Sequence, residues 1–199
     1  YHNECIGSLS LGVKIGETYT DYSQGSVRQT GGTYDLALSG SGFFTVSVTD
    51  KAGEVHTRYT RDGRFHLTKD GLLVDADGNA VQGQNGNITI DPSSKNVSIS
   101  ATGQITADGE LVDTLNIVDF EDYDYLKKYG DTMYEPVDGA TTKDAEGEIL
   151  QGYTEQSNVN VVREMVDMIT ITRAYEASQK VIHSYDSMLD KSVNQVGAL

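Results

Sequence analysis

Asp75-Ala76-Asp77-Gly78-Asn79 sets oxygen donors two residues apart, as the opening of a calcium-binding loop does. Such a loop needs Gly at its sixth position and Glu at its twelfth. Ala80 and Gly86 stand there, so a hairpin turn is the better reading. His2, His56, His66 and His183 are scattered without metal-pair spacing, although His56 and His66 flank one hairpin region. The single Cys5 can neither close an internal disulfide nor anchor a zinc cage. Ser39-Gly40-Ser41-Gly42 lacks the order of a nucleophile elbow, and no lysine follows it to hold a phosphate. It reads as a turn that delivers Phe43 and Phe44 into a core. Paired carboxylates for glycoside hydrolysis depend on separation in space, and in a chain with 30 Asp and Glu their presence alone decides nothing. These residue types assign no catalytic, cofactor or metal site.

The 199 residues carry 15 Lys and Arg against those 30 acids, a net charge of −15. So acidic a surface repels phosphate backbones and anionic lipid, which argues against nucleic-acid binding through a basic footprint. No run of eighteen apolar residues exists, so no membrane insertion is expected. Tyr1 to Ser10 has neither the basic start nor the apolar run of a secretory signal. The length suits one domain with an appendage, or two small domains.

Any functional residue must be held by the elements that the patterning predicts. Asp-Gly at Asp62-Gly63, Asp70-Gly71, Asp77-Gly78 and Asp108-Gly109, and Asn85-Gly86, offer the positive φ of tight hairpin loops. Between them lie short β-prone runs, among them Leu36-Ala37-Leu38, Phe43 to Val48, Leu72-Leu73-Val74, Ile88-Thr89-Ile90 and Val97 to Ser100. Several alternate apolar with polar, as strands with one wet face do. Leu111 to Phe120 reads as a central strand, and the acid-rich residues 121–150 as a solvated surface excursion with a helical turn near Tyr123. The fold class is mainly β: an antiparallel sandwich or barrel-like domain with many hairpins, followed by one long C-terminal amphipathic helix. The expected division is a lead-in over 1–25, a β-rich domain over 26–152 and the helical arm over 153–199.

The arm changes period from two to about three and a half, without Gly or Pro from Glu155 to Val196. Ser157, Asn158 and Asn160 are candidate N-caps, Glu164 suits the first turn, and Gly197 is a natural stop. Counting by sevens gives Val161, Met168, Tyr175, Ile182, Leu189 and Val196, all apolar. Companions four residues on are Met165, Thr172, Gln179, Asp186 and Val193, polar in the middle. At about 1.5 Å per residue, some thirty-five residues reach roughly 50 Å, too long to lie wholly on a small β-domain. Burying the six heptad side chains contributes on the order of 10 kcal/mol before ordering costs. The expected interface is therefore Val161, Met165, Met168, Thr172, Tyr175, Gln179, Ile182, Leu189, Val193 and Val196, its polar members fixing register.

Three ordered stretches resemble the bacterial flagellar basal-body rod family of FlgG and FlgF, with the hook protein a more distant relative. The first runs from Gln24-Gly25 through Thr30-Gly31 and Asp35-Leu36-Ala37 to Gly40-Ser41-Gly42-Phe43-Phe44. The second is Tyr59-Thr60-Arg61-Asp62-Gly63-Arg64-Phe65 with Asp70-Gly71-Leu72-Leu73-Val74. The third is Gln151-Gly152-Tyr153-Thr154-Glu155-Gln156-Ser157-Asn158-Val159-Asn160-Val161-Val162, then Glu164-Met165-Val166 and Arg173-Ala174-Tyr175-Glu176-Ala177. The resemblance implies a β-rich outer domain on a stem of paired N- and C-terminal helices. Subunits stack into a tube that transmits torque, located in the basal body outside the cytoplasm. It implies as partners copies of the chain, other rod and hook proteins, and the flagellar type III export apparatus, with no cofactor. The family's N-terminal helix has no counterpart among these 199 residues. Two rival classes remain in view: a secreted module binding glycans through Tyr123, Tyr125 and Tyr129, and a hydrolase using paired carboxylates in an acidic cleft.

Overall fold

The computed structural model describes residues 16, 18–50 and 53–196. His2 and Cys5 lie outside the described residues, as do Gly197 and the side chain of Val196. Short strands follow one another as the turn chemistry requires. The chain enters through β1 (Val27–Gln29), then β2 (Leu36–Ser39), and the long hairpin of β3 (Phe43–Thr49) and β4 (Val55–Thr60). A run of short elements follows: β5 (His66–Leu67), β6 (Leu73–Val74), β7 (Ala80–Gly83) and β8 (Gly86–Asn87). Next come β9 (Val97–Ile99), β10 (Gln104–Ala107), β11 (Glu110–Thr114) and β12 (Ile117–Phe120). The last strands are β13 (Leu126–Tyr129), β14 (Met133–Pro136), β15 (Thr142–Asp144), β16 (Glu148–Gln151) and β17 (Tyr153–Glu155).

The pairings are antiparallel. The largest sheet has ten strands along the path β13-β14-β4-β3-β7-β6-β5, with β12 on β3, β15 on β12 and β8 on β7. Its end strands β13 and β5 do not meet, so the sheet does not close into a barrel. Smaller sheets join β9, β10 and β11, β2 with β16, and β1 with β17. One apolar core gathers side chains from several of these sheets, including Leu36, Phe44, Leu73, Val81, Ile105 and Ile149. Phe43 and Phe44 are both buried, as the turn over Ser39–Gly42 predicts. Gly40 and Gly42 at that turn have φ of 118° and 125°, where a side chain would be strained.

Several expectations need correction. Leu111 to Phe120 is two strands, because the chain changes sheets between them: the Leu115 amide donates to the Gly103 carbonyl, and the Asn116 amide to that of Gln82. Residues 121–150 are not a loose excursion. After a 3-10 turn at Tyr123–Tyr125, strands β13 and β14 extend the main sheet and bury Leu126 and Met133. Asp62-Gly63 is not a positive-φ turn; a Cβ on Gly63 would strike the Leu36 carbonyl oxygen. Asp108-Gly109 does take positive φ at both positions, 52° and 93°, as a type I′ loop between β10 and β11 demands.

From Asn160 the backbone turns into α1 (Val161–Lys191), a helix of 31 residues. The Asn160 side chain accepts from the Arg163 amide at 3.2 Å, relieving one orphan N–H of the first turn. A wide π-type turn over Ser192–Val196 ends the element, so Val193 stands beyond the regular helix. No described residue of α1 is buried, so the helix adds nothing to the core of its own β-domain, although Arg163, Glu164 and Asp167 of its first turns border a cleft with Lys128 and Tyr134. No helix among the described residues is long and apolar enough to cross a membrane.

Candidate assembly interface

The predicted interface lies on that bare helix. Met168, Ile182 and Leu189 are 67%, 59% and 62% exposed, and Val161, Met165 and Tyr175 are similarly open. Thr172 is exposed too, but its hydroxyl donates to the Met168 carbonyl at 2.8 Å, which satisfies the polar atom locally. Gln179 donates to the Tyr175 hydroxyl at 3.1 Å, so the two polar tips of the stripe pair with each other. Val193 is 70% exposed within the terminal turn.

The stripe is only part of the helix's apolar surface. Val162, Val166 and Ile169 repeat at heptad spacing on a neighbouring side of the first turns. Ile171, Ala174, Ser178, Val181, Tyr185 and Met188 form another seam with alternating three- and four-residue steps. Counting by sevens from Val161 alone missed both; scoring every helical position against the heptad would have found them.

What holds the helix in place is its root, and here the three sequence stretches converge. Glu155, at the end of β17, accepts from the Gly25 amide at 2.9 Å with one carboxylate oxygen. Its other oxygen accepts from Arg61 Nε at 3.1 Å, and Arg61 Nη1 reaches the Gly42 carbonyl at 2.9 Å. One acid thus joins the lead-in, the β4 hairpin and the strand feeding the helix, with only 20% of the Arg61 and 11% of the Glu155 side chain exposed. Strand β1 pairs with β17, Val27 opposite Glu155. Asn158 then donates from Nδ2 to the Asp21 and Ser23 carbonyls, both at 3.1 Å. Gln24 brackets the Ser39–Gly42 turn, donating to the Leu38 carbonyl and accepting from the Gly40 amide. A Cβ on Gly25 would collide with the Gln156 carbonyl oxygen, so only glycine lets lead-in and exit approach this closely. A cleft of about 380 Å³ opens at this junction, lined by Tyr22, Phe43, Arg61, Tyr134 and Glu155 among others. Arg61 and Glu155 were legible as motif letters; their partnership across 94 residues was not.

Other candidate groups are engaged within the fold. One Asp75 carboxylate oxygen accepts from the Asp77 and Asn79 amides, a side-chain turn that stabilises the hairpin. His56 and His66 lie on β4 and β5, strands that do not pair with each other. Tyr123 stacks on Tyr22 with centroids 4.9 Å apart and donates to Asp119 at 2.7 Å. Tyr129 packs over the buried Arg58 guanidinium, 3.1 Å from ring centroid to Cζ. Of the three tyrosines suggested for glycan stacking, Tyr123 and Tyr129 thus make contacts within the protein, while Tyr125 and Tyr129 are each 43% exposed. Burial first, then the hydrogen bond and charge of Asp119, push the Tyr123 phenol up to about 12. Burial would raise the Asp119 carboxyl, but hydrogen bonds from Tyr123, Ser41, the Phe120 amide and Lys143 outweigh it and hold the group below its ordinary value.

Residues 37–107 match the family described as flagellar hook protein FlgE/F/G D1 domain, and residues 150–196 the flagellar basal body rod FlgEFG protein C-terminal family. The chain is 36% identical over 196 residues to the flagellar basal-body rod protein FlgG of Buchnera aphidicola subsp. Schizaphis graminum, covering 92% of this chain and 73% of that one. FlgG of Bacillus subtilis is 32% identical over 205 residues, with 94% and 74% covered. The rod protein FlgF of Caulobacter vibrioides is 34% identical over 181 residues, with 90% and 72% covered. With this kinship spanning the clamped root, the β-domain and the bare helix alike, the chain belongs to the flagellar basal-body rod protein family.

Proposed function

We propose that this chain is a structural subunit of the bacterial flagellar rod, without catalytic activity, that assembles with copies of itself into a helical tube carrying torque from motor to hook. One observation carries the reading: a 31-residue helix with no buried residue, rooted firmly in a β-domain. An apolar stripe left in water stabilises nothing, whereas side chains covered by a neighbour contribute about 1.5–3 kcal/mol each. Modest contacts repeated around a tube reinforce one another, since each neighbour raises the effective concentration of the next. The interface is the stripe from Val161 through Met165, Met168, Thr172, Tyr175, Gln179, Ile182 and Leu189 to Val193 and Val196. Its partners are other copies and other rod or hook proteins, reached through the flagellar export apparatus, in the basal body outside the cytoplasmic membrane. The chain divides by role into a lead-in over 1–25, a β-rich domain over 26–152 and an arm over 153–199 that includes its own rooting strand.

Replacing Met168 and Ile182 together with Asp tests this directly. The β-domain should keep its melting temperature, because neither side chain touches it, while incorporation into rods and motility are lost. Normal motility in cells carrying the double change would overturn the reading.

A further inference from the structure

Among the asparagines of the chain, only Asn85 precedes a glycine. Asn87, Asn96, Asn116, Asn158 and Asn160 precede Ile or Val, whose branched side chains crowd the amide nitrogen that follows the asparagine. The Asn85-Gly86 step lies at the exposed tip of the hairpin of β7 and β8, where Gly83 pairs with Gly86. Gly86 has φ of 120°, and a Cβ built on it meets nothing within 4 Å, so the surroundings of this step are open. The Asn85 side chain donates from Nδ2 to Asp113 Oδ1 at 2.9 Å, and the Thr114 amide donates to the same oxygen at 2.8 Å. Asp113 is only 7% exposed, and among the described residues it forms no ion pair. Among those residues Asn85 is also the only side chain that donates to it. The contact sits where the ten-stranded sheet meets the sheet of β9, β10 and β11. Beside it the Gln84 amide donates to the Thr114 carbonyl at 2.9 Å.

We propose that Asn85 is a site of spontaneous deamidation, and that its contact with Asp113 turns this small chemical change into a loosening of the joint between the two sheets. The Gly86 nitrogen attacks Asn85 Cγ and closes a five-membered succinimide. The Cγ–Nδ2 bond breaks, and ammonia leaves with the proton that the Gly86 nitrogen gives up. Glycine favours the step because it has no side chain to hinder ring closure, and both reacting groups are held within one residue pair. Water then opens the ring. Addition at Cγ gives an aspartyl residue at position 85, and addition at the main-chain carbonyl gives an isoaspartyl residue. Either product puts a carboxylate where an amide had donated to Asp113. Two acids then share one largely buried place without a cation, which disfavours ionising both. The isoaspartyl form also adds one carbon to the main chain of a two-residue loop, which disturbs the hairpin register. The reaction needs only the folded β-domain and is independent of assembly.

Peptide mapping by mass spectrometry tests this on the full folded chain, held in mildly alkaline buffer and sampled over days. Conversion of amide to acid should appear at position 85 before any other asparagine, as a mixture of aspartyl and isoaspartyl forms, with ammonia released in step. Asn85→Gln should abolish it, because glutamine would have to close a less favoured six-membered ring. Asn85→Asp should lower the melting temperature by about 3 °C or more. Adding Asp113→Asn should recover most of that loss, since donor and acceptor are then exchanged. The proposal falls if position 85 stays an amide in the folded chain, or if another asparagine reacts first. It falls equally if Asn85→Asp melts with the parent, or if adding Asp113→Asn recovers nothing.

Discussion

Glu155 binds the Gly25 amide with one oxygen and Arg61 with the other, in a setting mostly withdrawn from water. Glu155→Gln keeps the shape but leaves Arg61 without its counter-charge, at an expected cost of about 2 kcal/mol in unfolding free energy. Denaturant titration reads this, and Arg61→Gln in the same background should add much less than it costs alone, because the pair is then already broken. A similar argument applies to Asp119, fully buried, with Lys143 at 3.1 Å. Its folded-state carboxyl titrates below the ordinary 3.8, so its stabilisation is complete above that pH and fades as pH falls through the lower folded value. Asp119→Asn should cost about 2 kcal/mol near neutrality. The gap between variant and parent melting points should then close on acidification below pH 3.8. At the alkaline end, Tyr123 contributes fully below pH 10 and progressively less towards about 12, because the folded state holds its proton more tightly.

At the scale of elements, the helix was the most legible feature, because a heptad repeat is a property of one segment. Its N-cap was readable as one of three candidates, and the structure selects Asn160. Asn160→Ala should cost about 1 kcal/mol of helix stability, seen as reduced helical circular dichroism with the β-domain transition unchanged. The pairing of strand β17 with β1 was not legible, because Tyr153-Thr154-Glu155 is only three residues long and its partner lies far back in the chain. The same limit explains β13 and β14: their acids and tyrosines read as solvated until pairing with β4 turns Leu126 and Met133 inward. Hairpins written in adjacent residues were visible; pairings between distant strands were not. The root site falls in the second class, since Gly25, Arg61 and Glu155 meet only after the whole domain has folded.

For the molecule as a whole, the lead-in and the exit to α1 leave the β-domain side by side, Val27 opposite Glu155. A pull on the chain beyond Glu155, directed along β17, would load that strand lengthwise. Its ladder with β1 is strained all at once, in shear, instead of being peeled open one rung at a time. Asn158 stitches the exiting chain to Asp21 and Ser23 just outside that ladder, where peeling would have to begin. Were the proposed role to put a load on the stem, that load would reach the body of the subunit through two adjoining cords, and the coupling would stay stiff so long as both are drawn in the same sense.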